Sequence, residues 1–267
     1  MTEGKNQICV AARQRAVSLL LERTKCMEWT KEKVIQTMME LRNKGFIRVP
    51  EDMFRKDDGI VGQILEREFG VAENNLHLAD LGTYELKGMR KKKNKASTLT
   101  LFHQTSTAGL TPNQIFDRFS YEKPSHRDGS PKRKLFTTIS GNKVNSLGFI
   151  LRGNGDANVD LFFQDEYLAT WDLTSGHGKI KQVLLALAET RGAANSKDEE
   201  FHFVEAFILS APKNIYDAIK SGAVVMDLCI DQPASDFRKK APHDRGPHIR
   251  IPIRKLDSLF NNVEKIM

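Results

Sequence analysis

Apolar residues near the start of the chain recur at helical spacing in three stretches. Ala11, Ala16, Val17, Leu19, Leu20 and Leu21, set among Arg13, Arg15, Glu22 and Arg23, predict a helix within residues 1–28. A second helix is predicted after Thr30, a natural N-cap, with Val34, Ile35, Met38, Met39 and Leu41 on its apolar side and Gly45 as its stop. A third spans 59–69, with Ile60, Ile64, Leu65 and Phe69 in one stripe and Gly70 as terminator. Beyond residue 70 the texture changes. Residues 78–86 and 98–103 read as strands joined by a very basic connection, and Thr111-Pro112 opens a short helix. Residues 122–134 hold two prolines, a glycine and many charges, which predicts a loop and a boundary between lobes.

Further strands are expected at 134–139, 146–152, 159–164 and 167–172. Ile180, Val183, Leu184, Leu187 and Ala188 carry helical spacing and predict a helix over 179–190. A strand at 201–209, a helix at 212–220, strands at 223–230 and 248–253 and a closing helix complete the pattern. The expectation is a mixed α/β fold: a mixed central β-sheet flanked by helices. Residues 1–28 would be a helical extension, and the loop near residue 125 would part 29–125 from 126–267.

Composition narrows the function. Hydrophobic residues make up 40% and charged residues 28% of the 267, the balance of a soluble globular chain. No apolar run reaches the ~18 residues that a membrane span needs, and residues 1–5 lack the apolar stretch of a secretion signal. A cytoplasmic protein without membrane contact is expected. Cys9, Cys26 and Cys229 are scattered, which argues against a disulfide framework and a structural zinc site and for small buried apolar roles. No Gly-rich phosphate loop and no Ser-His-Asp order stand out. Trp29 and Trp171 read as packing residues. The net charge of +7 suits a polyanionic partner.

Candidate chemistry gathers in Ala79-Asp80-Leu81-Gly82-Thr83-Tyr84-Glu85-Leu86-Lys87. Glu85 and Lys87, two apart on a strand, leave the same face. A turn near Gly82 would bring Asp80 back beside Glu85. Two carboxylates with the Leu86 backbone carbonyl suit Mg²⁺, which takes only one or two carboxylates and keeps several waters, and Mn²⁺ would substitute. Lys87 would orient or help deprotonate an attacking water. Glu66, late in the third helix, is a candidate third carboxylate. The cationic run Arg90, Lys91, Lys92, Lys93 and Lys95 suits DNA phosphates. His103 ends its strand near the cut. The basic, turn-rich segment 238–250 includes His243, Asp244, Arg245, His248 and Arg250 and is the best source of groups reaching base edges.

Gly59-x-x-Gly62-x-x-Leu65-Glu66, then Asp80-x₄-Glu85-x-Lys87, then Leu99-Thr100-Leu101-Phe102 resembles the MvaI/BcnI type of restriction endonuclease. That family is related to the MutH nicking enzymes within the PD-(D/E)XK nuclease superfamily. The resemblance covers roughly residues 30–105, with a weaker echo in Asp227 and 245–250. It implies two lobes forming a DNA-binding cleft, with 29–125 the catalytic lobe and 126–267 the rest of the core and a recognition lobe. It also implies a Mg²⁺-dependent, site-specific cut of double-stranded DNA leaving 5′-phosphate ends, made by a monomer with one active site and paired with a cognate DNA methyltransferase. The alternatives are a MutH-like strand-nicking repair enzyme and a non-catalytic DNA-binding protein keeping the fold. The same resemblance makes Asp80 and Glu85 metal ligands, Lys87 the water-positioning base and Glu66 the supporting helix carboxylate. It also assigns Asp227, Arg245, His248 and Arg250 to base reading. Ala79 departs from the superfamily's proline, Cys229 stands where an arginine is expected, and Pro247-His248 replaces the usual Gly-Thr.

Overall fold

The computed structural model describes residues 29–267 apart from 54–56, 72–78, 93–96, 126–128, 155–157 and 234–240. The helix expected within 1–28, together with Cys9 and Cys26, lies outside the described residues, as do Lys93 and Lys95 of the basic run. In chain order the elements begin with α1 (Lys31–Asn43), β1 (Ile47–Arg48), α2 (Ile60–Glu68), β2 (Glu85–Arg90), β3 (Thr98–His103) and β4 (Ala108–Gly109). Next come α3 (Pro112–Phe119), β5 (Tyr121–Glu122), β6 (Lys132–Ile139), β7 (Phe149–Asn154), β8 (Asn158–Phe163), β9 (Glu166–Asp172) and α4 (Thr174–Lys179). The last are β10 (Gln182–Arg191), β11 (Glu200–Pro212), α5 (Ile215–Lys220), β12 (Val225–Pro233), β13 (His243–Asp244), β14 (His248–Pro252) and β15 (Phe260–Lys265). No described helix is long and apolar enough to cross a membrane.

Local chemistry sets the helix starts. The Thr30 hydroxyl accepts from the Lys33 amide and caps α1. Thr111 and Gln114 form a reciprocal capping box for α3, with Pro112 in its first turn. The fold is the mixed α/β class expected, but its strands divide into three sheets instead of one. The first runs β1-β11-β10-β2, with β15 also pairing β11. Within it β2 and β10 run parallel, while the other described pairs are antiparallel. The second runs β3-β14-β12-β6-β5, with β13 on β12, and the third runs β4-β9-β8-β7. Strands from before and after residue 125 therefore share both larger sheets.

The helix expected over 179–190 is instead strand β10. Val183, Leu185 and Leu187 enter one apolar core with the second and third sheets. Leu184, Ala186 and Ala188 enter the other, beneath α1 and α2. A strand buried on both faces shows no alternation, so its apolar run imitates helical spacing. The closing helix is likewise a 3-10 turn, Ile253–Ser258, followed by the edge strand β15. Leu256, Leu259, Phe260 and Val263 happen to fall at helical intervals. At 212–220 the strand β11 runs through Pro212, and α5 starts only after Asn214 caps it.

The motif Gly59-x-x-Gly62 is where α2 presses on β2. A Cβ on Gly88 would stand 2.6 Å from the Val61 carbonyl oxygen and 3.0 Å from the Gly62 amide nitrogen. Both obstacles are backbone, so neither can move aside as a side chain would. Gly88→Ala is therefore expected to cost about 1–3 kcal/mol through overpacking. A urea unfolding midpoint equal to that of the parent chain would contradict this contact.

Candidate active site

The stretch 79–84 forms a turn in which the Gly82 amide donates to the Ala79 carbonyl and the Leu81 amide to the Tyr84 carbonyl. Gly82 adopts φ +77°, a left-handed conformation that glycine enters without penalty. The turn folds Asp80 back so that its Oδ2 accepts the Leu86 amide at 2.7 Å. On β2, Lys87 Nζ donates to Glu85 Oε1 at 2.7 Å, and both side chains are largely buried. Burial, and then the Glu85 charge, push the Asp80 carboxyl above its ordinary value, against the Leu86 amide, Lys87 and Lys179, which pull it down. The expected return of Asp80 to the side of Glu85 is thus observed.

The backbone supplies a further donor atom. In the parallel pairing the odd residues of β2 bond toward β10, as the Lys91 amide does to the Ala188 carbonyl. Leu86 therefore faces the free edge of the first sheet, where Asp80 takes its amide. In an extended strand the amide and carbonyl of one residue point the same way. The Leu86 carbonyl consequently lies on that open edge beside Asp80. Two carboxylates, one pushed toward protonation by burial beside the other, plus a backbone carbonyl form a hard-oxygen set that fits Mg²⁺.

Glu66 lies on α2, the helix packed against β2. Leu86 joins the core beneath α2, and Gly88 touches the α2 backbone, so α2 covers the face of β2 opposite to Glu85 and Lys87. Among the described residues no group of three acidic, histidine or cysteine side chains is spaced to hold a metal. The structure brings together Asp80, Glu85 and Lys87.

A second polar array covers the outward face of the second sheet. Met226, Leu228 and Ile230 point into the core, so Asp227, Cys229 and Asp231 share the other face of β12. Asp227 is buried and accepts Thr138 Oγ1 at 2.6 Å and Arg250 Nη1 at 2.5 Å. Arg250 Nε is also buried and meets no hydrogen-bond partner among the described residues. Asp231 gathers Lys132 at 3.5 Å, Arg245 at 3.5 Å and His243 at 3.8 Å. The Arg245 guanidinium lies 5.8 Å from the ring centre of exposed Phe136. Asp244 caps the Gly246 amide at 2.9 Å. His248 faces His103 across β14 and β3 with ring centres 4.3 Å apart. Burial first, then His248 and Lys87, lower the His103 imidazole to about 4. That electrostatic contact with Lys87 places this end of the polar face next to the Asp80 site. Cys229 is half-buried between Asp227 and Asp231 rather than a core residue.

The basic run departs from expectation at its first member. Arg90 is not free for phosphate. Its Nε and Nη2 donate to the two oxygens of Glu199 at 2.8 Å, and Nη1 pairs with Asp58. Burial pushes the Glu199 carboxyl up, but the Arg90 hydrogen bonds, the Asn195 amide and the Arg90 charge outweigh it and leave it below its ordinary value. Arg90 sits at the parallel edge beside β10, where the length of its side chain reaches the buried acid. Lys91 pairs with Glu205 at 3.0 Å and Glu189 at 3.4 Å, while Lys92 is exposed. Asp231, Phe136 and Thr138 were not singled out by the sequence, because strand pairing joins them to the array. Lys179 and Lys181 were not singled out either, because only the fold brings α4 and the turn before β10 against residues 79–83. They line a pocket of about 580 Å³ that also touches the 79–83 turn.

Two outcomes follow from these contacts. Arg90→Ala leaves the Glu199 carboxylate, only 1% exposed, without its partner. It should destabilise the chain by about 3–5 kcal/mol instead of merely weakening nucleic-acid binding. A near-normal thermal midpoint would restore Arg90 to the surface. The His103 imidazole, held near 4 against an ordinary 6.5, binds its proton more readily once unfolded. Its contribution to stability is therefore full above pH 6.5 and lost as pH falls toward 4. His103→Gln should flatten the fall in thermal midpoint across that window, and an unchanged slope would disprove the assignment.

The model of the MvaI/BcnI restriction endonuclease family matches residues 35–260. Among solved structures, the complex of restriction endonuclease MvaI with its cognate DNA substrate aligns with TM-score 0.68 and 19% identity, over 90% of this chain and 100% of that one. MvaI in the absence of DNA aligns over the same shares at 19% identity with TM-score 0.48. No curated protein matches the chain in sequence. The turn that folds Asp80 onto β2, the Glu85–Lys87 pair and the sheets around them thus lie within one matched span, and the chain belongs to the MvaI/BcnI restriction endonuclease family.

Proposed function

We propose that the chain is a sequence-specific type II restriction endonuclease that hydrolyses phosphodiester bonds of double-stranded DNA with Mg²⁺ and leaves 5′-phosphate ends. The observation that carries this reading is the pairing of Asp80 with the Leu86 amide beside the Glu85–Lys87 contact, each at 2.7 Å. Membership of the family, and the DNA complex in which its relative MvaI was solved, support DNA as the substrate.

Asp80, Glu85 and the Leu86 carbonyl would hold the cation, which supplies Lewis-acid stabilisation of the charge that builds on the phosphate. Asp80 is fixed by the Leu86 amide and Glu85 by its place in the ladder with Val183, so the oxygens are positioned before substrate arrives. Lys87 leaves the same face as Glu85 and presents an ammonium that orients the attacking water. Asp227, Arg245, His248 and Arg250, with Asp231 and Phe136, form the surface that reads bases. Their charges are largely paired internally, and a base that fits must replace those partners in kind.

Purified protein with Mg²⁺ and supercoiled plasmid should yield discrete double-strand fragments with 5′-phosphate ends. Lys87→Ala should lower the cutting rate by about 10²–10⁴-fold, the usual contribution of a positioned proton-transfer group, with DNA affinity nearly intact. Cutting by the variant at the parent rate would refute the site. Nicked circles alone would favour a strand-nicking enzyme, and unchanged plasmid would leave a binding protein.

A further inference from the structure

The pocket beside the active site has a chemistry of its own. Its walls come from the 79–83 turn on one side and from α4 and the start of β10 on the other. They present the ammonium groups of Lys179 and Lys181, the hydroxyls of Thr83 and Ser175 and the Gln182 amide. No carboxylate side chain lines it among the described residues. Neither lysine enters a salt bridge among the described residues, in a chain where Arg48, Lys91, Arg118 and Arg245 are all paired. Two free cations and three neutral hydrogen-bonding groups around an open pocket make a site for an anion.

Its position fixes which anion. Val183 pairs with Glu85 in the parallel ladder, so Lys181 stands two residues before the level of Glu85. It stands in the turn immediately before β10, on the wall of the pocket that also touches the 79–83 turn. Two residues of chain span at most about 7 Å, on the order of one nucleotide step along a backbone. Lys179 is close enough for its charge to act on the Asp80 carboxyl. The short helix carrying it is seated firmly, because Gly176 packs so tightly on Phe102 that a Cβ there would stand 2.2 Å from the ring. The lysines thus flank the junction between that seated helix and β10.

We infer that Lys179 and Lys181 seat the backbone phosphate adjoining the scissile one on the strand being cut, and so align that strand with Asp80 and Glu85. The inference rests on the nuclease reading above and adds two positioning residues to it. These lysines touch a phosphate that does not react, so their loss weakens binding without regard to base sequence.

The test separates the two ideas. Affinity for a short duplex of arbitrary sequence is measured without divalent cation, as a function of salt, for the parent, Lys179→Gln, Lys181→Ala and the double variant. Each single variant should reduce the magnitude of the salt-dependence slope by about one and the double variant by about two, while Lys181→Arg keeps the parent slope. Once plasmid digestion has located the cut, a duplex with an uncharged methylphosphonate at the adjoining position should slow the parent and leave the double variant unaffected. An unchanged slope in the folded double variant overturns the seat, as does a methylphosphonate that slows parent and double variant alike. A parent that binds the duplex with the expected slopes but never cuts with Mg²⁺ sinks the nuclease reading, and the lysines then remain a phosphate site without chemistry beside it.

Discussion

Strand β10 is packed from both sides, and this double burial governs where the chemistry can sit. Alternate residues of β10 belong to different cores, with Val183, Leu185 and Leu187 on one side and Leu184, Ala186 and Ala188 on the other. Full burial of one such aliphatic side chain is worth about 1.5–3 kcal/mol, so the strand is held from both directions by a large share of the apolar energy. Its other contribution is positional. It is the sheet neighbour of β2, and among the described residues no strand lies beyond β2 in the first sheet. One edge of β2 is therefore anchored to a strand buried on both faces, while the other meets Asp80.

An open strand edge is usually a hazard, since unpaired amides and carbonyls invite another strand. Here the 79–84 turn turns the hazard to use. The Asp80 carboxylate occupies the Leu86 amide on that edge. The close approach of α2 at Gly88 protects the opposite face of the strand and fixes its height above the helices. Edge, turn and helix contact together hold Asp80 beside Glu85 and Lys87, and a shift in any of them would part these side chains.

The parts of this arrangement written in consecutive residues were legible in the sequence. The spacing of Glu85 and Lys87, the turn at Gly82, the caps at Thr30 and Thr111 and the apolar stripe of α2 all act within a few positions. What pairing decides was not legible. The aliphatic run of β10 carries the same residue spacing as a helix, and only its contacts with two cores distinguish them. Arg90 reads as one more member of a basic run, yet its guanidinium is spent on Glu199, 109 residues away. Asp231, Phe136 and Thr138 join the polar face through the β6–β12 ladder, in which Cys229 stands opposite Phe136. No local pattern encodes that register.

The parallel pairing of β2 with β10 also has a temporal consequence. Glu85 and Lys87 are made early in synthesis, but the strand that anchors them begins only at Gln182. Parallel strands joined by so long a connection close late, because the entropy of the intervening chain must be lost before any pairing rewards it. A partly synthesised chain that ends before β10 carries the acidic residues without the scaffold that aligns them. Translation therefore passes its midpoint before the strand that anchors Glu85 and Lys87 is available to pair.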